Sequence, residues 1–218
     1  SLMLTGTGIL AAMLVGVPLG IISAYKPNSV WDHISTFISF IGASVPNFFL
    51  SLLLIYVLAV KLKWFPTSGM QSSGMSGNLL DLLHHLALPA FVCGIQPIGN
   101  YIKQTRSSVL EVLNEEYIKT ARSKGLTNVV IVLKHAFRNA LIPIVTTISL
   151  SIPFLIGAVV TEQIFAWPGI GSLMITAITS RDYPVIMGVA VLICGVVLVA
   201  NLILDLIYAA LDPRIKFK

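Results

Sequence analysis

The sequence predicts an all-α polytopic membrane protein with five transmembrane helices, and two observations carry that prediction. Hydrophobic residues make up 56% of the 218 residues and charged residues only 11%, whereas soluble domains carry about 25% charged residues. Five apolar blocks are each long enough to cross a hydrocarbon core, which takes about 20 residues of helix. Most of the blocks have no polar face, unlike the surface helix of a soluble domain.

The charges between the apolar blocks predict the topology. The blocks are residues 4–24, 34–60, 85–101, 140–160 and 184–208. Cytoplasmic loops of membrane proteins carry an excess of Lys and Arg. Placing residues 25–33, 102–139 and 209–218 inside puts 11 basic residues on that side and 3 on the other. The chain is therefore expected to begin outside and to end in the cytoplasm.

The start of the sequence gives a further expectation. An apolar block begins almost at Ser1, without the basic region and cleavage site of a signal peptide. A chain that begins outside without such a signal is expected to lack an upstream membrane helix. The full protein would then have six spans.

The loop at residues 106–139, which is expected to be cytoplasmic, predicts two helices joined at a glycine. Small and apolar residues recur at helical spacing from Val109 to Thr120. Gly125 is predicted to end this helix in the left-handed conformation, with Leu126 as its hydrophobic follower. Thr127 or Asn128 can cap a second short helix. Such a loop on one side of a membrane has a shape suited to docking on another protein.

This loop resembles the EAA loop of the permease subunits of binding-protein-dependent ABC importers. Thr120-Ala121 followed by Gly125 carries the resemblance, and the segments KTARSKGL and KHAFRNALIP are similar to the dipeptide, oligopeptide and nickel branch. The resemblance implies a coupling helix that sits in a groove of a cytoplasmic ATPase subunit. The residues to which it gives this ATPase-coupling role are Tyr117, Lys119, Thr120, Ala121, Arg122, Gly125 and Leu126.

A second stretch, residues 161–183, is similar to the external hairpin of the same branch. It reads E-x-x-F-x-W-P-G-x-G and then R-D-Y-P, and a third similarity is the D-P-R sequence at residues 212–214. Trp167 suits the membrane interface, and residues 172–180 predict a helix too short to span. Two roles stay open, docking of an external binding protein or a gate on the path. The residues concerned are Glu162, Phe165, Trp167, Pro168, Gly169, Gly171, Arg181 and Asp182.

Three polar residues at membrane depth are candidates for lining the translocation path: Asn47, Gln96 and Asn100. Asn47 follows Pro46, which leaves a backbone carbonyl without its helical hydrogen-bond donor. The Asn47 side chain can donate to that carbonyl, or it can face a polar cavity. Polar residues at this depth usually face the interior of a helix bundle. In the first block, Gly16 and Gly20 predict a face for close helix packing rather than a substrate site.

Several function classes have no support in the sequence. It contains no G-x-x-x-x-G-K-[ST] phosphate loop, no H-E-x-x-H, no G-x-S-x-G and no metal-spaced Cys/His cluster. We expect no enzymatic activity, metal site or cofactor in this chain, with ATP and Mg held by the partner subunits that the resemblance implies. The spans have almost no charged residues away from their ends, which disfavours an ion-coupled carrier. A secondary transporter or channel is still the main alternative, and an embedded enzyme or assembly factor a weaker one.

Taken with the resemblance, residues 1–218 are expected to form the permease domain of an ATP-driven importer in a bacterial or archaeal cytoplasmic membrane. Its cargo would be peptides, or nickel or a related small solute. The implied partners are a second homologous permease, two ATPase subunits, an extracytoplasmic binding protein and membrane lipid, without nucleic acid.

The predicted topology can be tested with single cysteines in intact cells, after Cys93 and Cys194 are replaced by Ala. A cysteine at Ser73 should react with a membrane-impermeant thiol reagent, whereas one at Ser123 should react only after the cells are broken. Labelling of the Ser123 site in intact cells, with the Ser73 site silent, would invert the topology.

Overall fold

The computed structural model describes residues 1–74, 77–151 and 158–211, and this part of the chain is helical without a strand. Its helices are α1 (Leu2–Tyr25), α2 (Val30–Ser44), α3 (Asn47–Lys61), α4 (Leu79–Leu113), α5 (Glu116–Ser123), α6 (Asn128–Ser149), α7 (Val159–Ile164), α8 (Ile170–Ser180) and α9 (Tyr183–Leu211). Two helices contain π-helical stretches, at Ile55–Lys61 in α3 and at Ile131–Ala136 in α6.

The predicted fold class is confirmed. In the described part of the chain four helices, α1, α4, α6 and α9, are long and apolar enough to cross a membrane, and α2 with α3 makes a fifth span if the broken pair counts as one. The predicted block 34–60 is a pair of helices, bent by 103° at the break between Ser44 and Asn47. Pro46 begins α3 at its N-cap position with extended backbone, because proline has no N–H to continue the hydrogen bonds of α2.

The helices of the polar loop have other bounds than the sequence predicts. The helix expected through residues 109–120 is broken, since α4 ends at Leu113 and α5 starts at Glu116. The helix expected to be short after Thr127 continues to Ser149 as one long α6. Residues 152–157, at the end of the predicted fourth span, lie outside the described part, as does the D-P-R sequence at 212–214.

The chain divides into two compact units. Of the described residues, those within 1–11, 44–96 and 152–198 form unit 1, and those within 12–43, 97–151 and 199–218 form unit 2. The core of unit 1 has two clusters, one around Leu4, Leu86 and Trp167 and one around Leu88, Val92 and Phe165. The core of unit 2 joins α1, α4 and α6 through Ala24, Val109, Val132, Ala136, Ala140 and Ile144.

Inside unit 2, glycines allow α1 and α2 to approach α4 closely. A Cβ atom on Gly20 would lie 2.6 Å from Thr105 Cβ and 2.9 Å from the Ile102 carbonyl oxygen. One turn earlier, Gly16 meets Tyr101 in the same way, and on α4 Gly99 lies against the backbone of Ser39 in α2. The predicted packing face of the first block is thus the face that α1 turns to α4. Interfaces between membrane helices commonly use small residues in this way.

We expect Gly20→Ala to destabilise the protein although Ala is the better helix former. The added methyl group has no room beside Thr105, and overpacking of this kind costs about 1–3 kcal/mol. Gly195→Ala in α9 is the matched control, because nothing lies within 4 Å of its added Cβ. Thermal unfolding in detergent should show a lower apparent Tm for Gly20→Ala and an equal or higher one for Gly195→Ala. An unchanged Tm for Gly20→Ala would show that this contact does not limit the packing.

Candidate functional site

The turn after α5 has the geometry that the sequence predicts. Gly125 has φ +79°, and its N–H donates to the Arg122 carbonyl oxygen at 3.0 Å. The next N–H, of Leu126, reaches back to the Ala121 carbonyl oxygen at 3.4 Å. This pair of bonds is the Schellman arrangement, which closes a helix end with a left-handed residue. A Cβ at Gly125 would meet no atom within 4 Å, so backbone conformation alone favours glycine here.

One face of α5 is buried and the other is exposed. Ile118 is fully buried, Ala121 is half-buried, and α5 packs beside residues 131–136 of α6. The remaining predicted coupling residues share the exposed side and the turn, namely Tyr117, Lys119, Thr120, Arg122, Gly125 and Leu126. The structure therefore gathers the seven predicted residues on one short helix and its C-terminal turn.

The exposed side of this loop is both basic and apolar. Lys119 pairs with Glu116 at 2.6 Å, while Arg122 and Lys124 are exposed without an ion pair among the described residues. An apolar stripe continues from the turn into the start of α6 through Leu126, Val129, Val130 and Leu133, each at least 38% exposed. A mixed surface of this kind is typical of protein contacts.

Asn139 ties α5 to the following span, and sequence reasoning did not assign it a role. Its side-chain nitrogen donates to the Tyr117 hydroxyl oxygen at 2.9 Å and to the His135 carbonyl oxygen at 2.8 Å. Asn139 stands 22 residues after Tyr117, so no local pattern links the two. Tyr117 itself is 43% exposed, which leaves part of its ring free for a partner.

A buried carboxylate, also missed from the sequence, anchors the end of α4 that leads into the loop. Asp32 accepts hydrogen bonds from Arg106 Nε at 2.8 Å and Arg106 Nη2 at 2.9 Å. The backbone N–H of Asn28 donates to it at 2.8 Å and the Ser23 hydroxyl donates to its other oxygen. Asn28 has φ +60°, a conformation that Asn adopts more readily than most residues. The turn between α1 and α2 is thereby fixed to α4.

Three of the predicted residues of the external hairpin are buried, and the two roles left open for the hairpin, docking or a gate, stay predictions. Glu162, Phe165 and Trp167 are at most 2% exposed inside unit 1, so they have no free surface for a partner. Trp167 packs on Leu4 and Leu86, and its expected place at the membrane interface stays a prediction. The long-range contacts that bury an aromatic ring cannot be read from its neighbours in sequence.

The remaining five hairpin residues are either exposed or packed against Glu162. Pro168, Arg181 and Asp182 are exposed, and Gly169 and Gly171 lie against the Glu162 side chain. Arg181 has φ +57° and ends α8. The loop that precedes α4 is joined to the hairpin by a hydrogen bond from the Gly69 N–H to the Phe165 carbonyl oxygen at 2.8 Å.

The three candidate path residues lie on α3 and α4. Asn47 is half-buried in the first turn of α3, whereas Gln96 and Asn100 are exposed on α4. The contact of all three residues with a translocation path stays a prediction. Within the described ranges no three His, Cys, Asp or Glu side chains form a group that could hold a metal.

Comparison with known proteins gives a family match and many relatives. The family described as "Binding-protein-dependent transport system inner membrane component" matches residues 16–217. An oligopeptide transport system permease protein of Bacillus subtilis, AppB, is 46% identical over 217 residues, which is 99% of this chain and 68% of the relative. The dipeptide transport system permease protein DppB of Escherichia coli K12 is 39% identical over 229 residues, covering 95% of this chain and 68% of DppB.

Solved structures give the same fold. An inward-facing structure of the MetNI methionine ABC transporter aligns with a TM-score of 0.72, covering 97% of this chain and 92% of that one. Its sequence identity is 19%, so this likeness speaks for the fold alone.

Breaking the Asp32–Arg106 pair should destabilise the protein, and reversing it should not restore stability. Arg106→Gln leaves a buried carboxylate short of two donors, and a hydrogen bond to a charged group is worth about 1.5–3 kcal/mol. In the reversed pair, Asp32→Arg with Arg106→Asp, position 32 offers no acceptor to the Asn28 N–H. Apparent Tm values in detergent give the comparison.

The control for that experiment is the exposed pair of α5. Glu116→Gln removes an ion pair whose side chains are 64% and 85% exposed, and such pairs contribute about 0–1 kcal/mol. Its Tm should stay close to that of the unaltered protein. Full recovery by the reversed Asp32–Arg106 pair would show that charge attraction alone, without the Asn28 and Ser23 hydrogen bonds, holds the turn.

Proposed function

We infer the function of this chain from the family to which it belongs, the binding-protein-dependent transport system inner membrane components. It is the membrane-spanning permease subunit of an ATP-driven ABC importer. The several apolar helices and the family match support its place as a multi-pass protein of a cytoplasmic membrane. Peptides are the proposed cargo, because the relatives at 39–46% identity carry the names of oligopeptide, peptide and dipeptide permeases.

The proposed mechanism rests on the exposed face of α5 and on the Schellman turn at Gly125 that ends this helix. We assign ATPase coupling to Tyr117, Lys119, Thr120, Ala121, Arg122, Gly125 and Leu126. A cytoplasmic ATPase subunit would contact this face, and its closure on ATP would move α5 with the span that follows. Such coupling needs contacts that differ in free energy between two states, because a partner that binds both states equally shifts nothing.

The contacts between α5 and α6 suit a helix that transmits a displacement to the span that follows. Ile118 is buried beside α6, and Tyr117 is hydrogen bonded to Asn139 of α6. A force applied to the exposed face therefore acts on α6 through packing and a hydrogen bond as well as through the connecting turn. Arg106, paired with Asp32, holds the other end of the loop.

The external partner is proposed to be a substrate-binding protein that contacts the exposed part of the outer hairpin. Arg181 and Asp182 supply charges at the end of α8, and Pro168 precedes its start. Two ATPase subunits and a second homologous permease complete the proposed assembly, with ATP and Mg on the ATPase subunits. Asn47, Gln96 and Asn100 are proposed to line the path at the contact with that second permease.

Purification of the tagged chain from its native membrane tests the function class. Subunits that carry a G-x-x-x-x-G-K-[ST] phosphate loop should co-purify, and they should hydrolyse ATP faster when the binding protein and peptide are present. A secondary transporter or channel would come down without such subunits, and that result would reject the proposal.

Gly125→Val tests the coupling turn. A β-branched residue at φ +79° is strained by about 1–3 kcal/mol, although space around the position is free. We expect peptide uptake to fall about fivefold or more while insertion and expression stay normal. Gly125→Asn is the control, because Asn tolerates the left-handed region and should keep most of the uptake. Normal uptake by the Val variant would remove the coupling role from this turn.

A further inference from the structure

Glu162 is a buried carboxylate inside the outer hairpin and is 0% exposed. Its Oε2 accepts a hydrogen bond from the Ser172 backbone N–H at 2.9 Å. Its Oε1 accepts from the Ser1 hydroxyl at 2.5 Å, and that hydroxyl oxygen accepts in turn from the Ile170 N–H at 2.7 Å. Two N–H groups of the first turn of α8, which have no partner within the helix, are thus bound by this carboxylate directly or through one hydroxyl.

Two glycines make room for the carboxylate, for different reasons. A Cβ on Gly169 would lie 2.3 Å from Glu162 Cδ, and its three nearest atoms all belong to the Glu162 side chain. A Cβ on Gly171 would lie 2.8 Å from Glu162 Oε2 and also 2.9 Å from the backbone Cα of Val159. Gly169 has extended backbone with φ −157°, so space rather than conformation requires glycine there.

We infer that Glu162 and Gly169 form a clasp that fixes the direction of α8, and that Glu162 is thereby a positioning residue for the exposed end of the hairpin. From the clasp, α8 runs without a break to Arg181 and Asp182, where the Asp182 N–H bonds to the Ala177 carbonyl oxygen at 2.9 Å. Both residues are exposed. Their position therefore follows the angle at which α8 leaves Glu162.

A carboxylate suits this task better than an apolar side chain. Apolar residues of similar volume often stabilise an interior as well as buried charges do, but they impose no direction on a helix start. Hydrogen bonds to the first N–H groups of α8 do impose one, and the negative charge is favourable at that helix end. The buried Glu162 side chain is thus linked through α8 to the exposed residues Arg181 and Asp182.

The inference rests on the proposed contact with a binding protein, and a set of four variants in the assembled importer tests it. We expect Gly169→Ala and Glu162→Ala each to raise the concentration of binding protein that half-stimulates ATP hydrolysis, by about tenfold. Adding Gly169→Ala to Glu162→Ala should have no further effect, because the new methyl group then fills vacated space. Adding Gly171→Ala to Glu162→Ala should still be harmful, since Val159 Cα stays in place.

Gly188→Ala in α9 is the matched control, because no atom lies within 4 Å of its added Cβ, and it should match the unaltered importer. Glu162→Gln, which keeps the shape and one acceptor, gives a milder variant if Glu162→Ala does not assemble. If Gly169→Ala is as harmful in the Glu162→Ala background as it is alone, contact with the carboxylate is not its cause and the clasp is rejected.

Trypsin cleavage after Arg181 gives a readout that does not depend on the binding protein. It should be several-fold faster in Gly169→Ala and Glu162→Ala than in Gly188→Ala. Faster cleavage with unchanged stimulation would overturn the positioning role, and unchanged cleavage would overturn the clasp. If the unaltered importer shows no stimulation at all, the proposed contact with a binding protein fails, and the cleavage rates still decide whether the clasp exists.

Discussion

The close approach of α1 and α2 to α4 is the constraint on which the rest of unit 2 depends. Glycines at positions 16, 20 and 99 remove the side chains that would hold these backbones apart. Without a hydrophobic driving force between helices in lipid, such packing is a main source of stability. At the cytoplasmic end of the same helices, as the predicted topology has it, Asp32 and Arg106 add a hydrogen-bonded ion pair. Packing sets how near the helices lie, and the ion pair fixes the start of α2 to α4.

Asp32 and Glu162 are both buried carboxylates, and each is hydrogen bonded within its own unit. A buried charge needs several donors, and each of these takes one from a backbone N–H group in a turn or helix start. Donors of this kind cannot rotate away as a side chain can. Each carboxylate therefore fixes backbone geometry next to a loop that is proposed to meet a partner.

Features set by local chemistry could be predicted from the sequence, and features set by distant contacts could not. Gly125 was found because a left-handed helix end has a local signature, and the apolar blocks because length and composition suffice. The burial of Trp167, the Asp32–Arg106 pair and the bond from Asn139 to Tyr117 each join residues far apart in the chain. The break before Glu116 could not be predicted from the sequence, because the apolar spacing continues across it.

Because of the π-helical stretch Ile131–Ala136, the exposed face at the start of α6 is offset around the helix axis from the buried face that follows. Each residue of a regular α-helix advances by about 100° around the axis, and a π-turn holds one residue more than an α-turn. Through this offset, Val129 and Leu133 face outward while Ala136 and Ala140 enter the core farther along the same helix. Loss of one residue from the stretch would rotate the exposed face at the start of α6 by about 100° relative to the span. An alignment of relatives that differ by a single gap here would therefore compare loops that point in different directions.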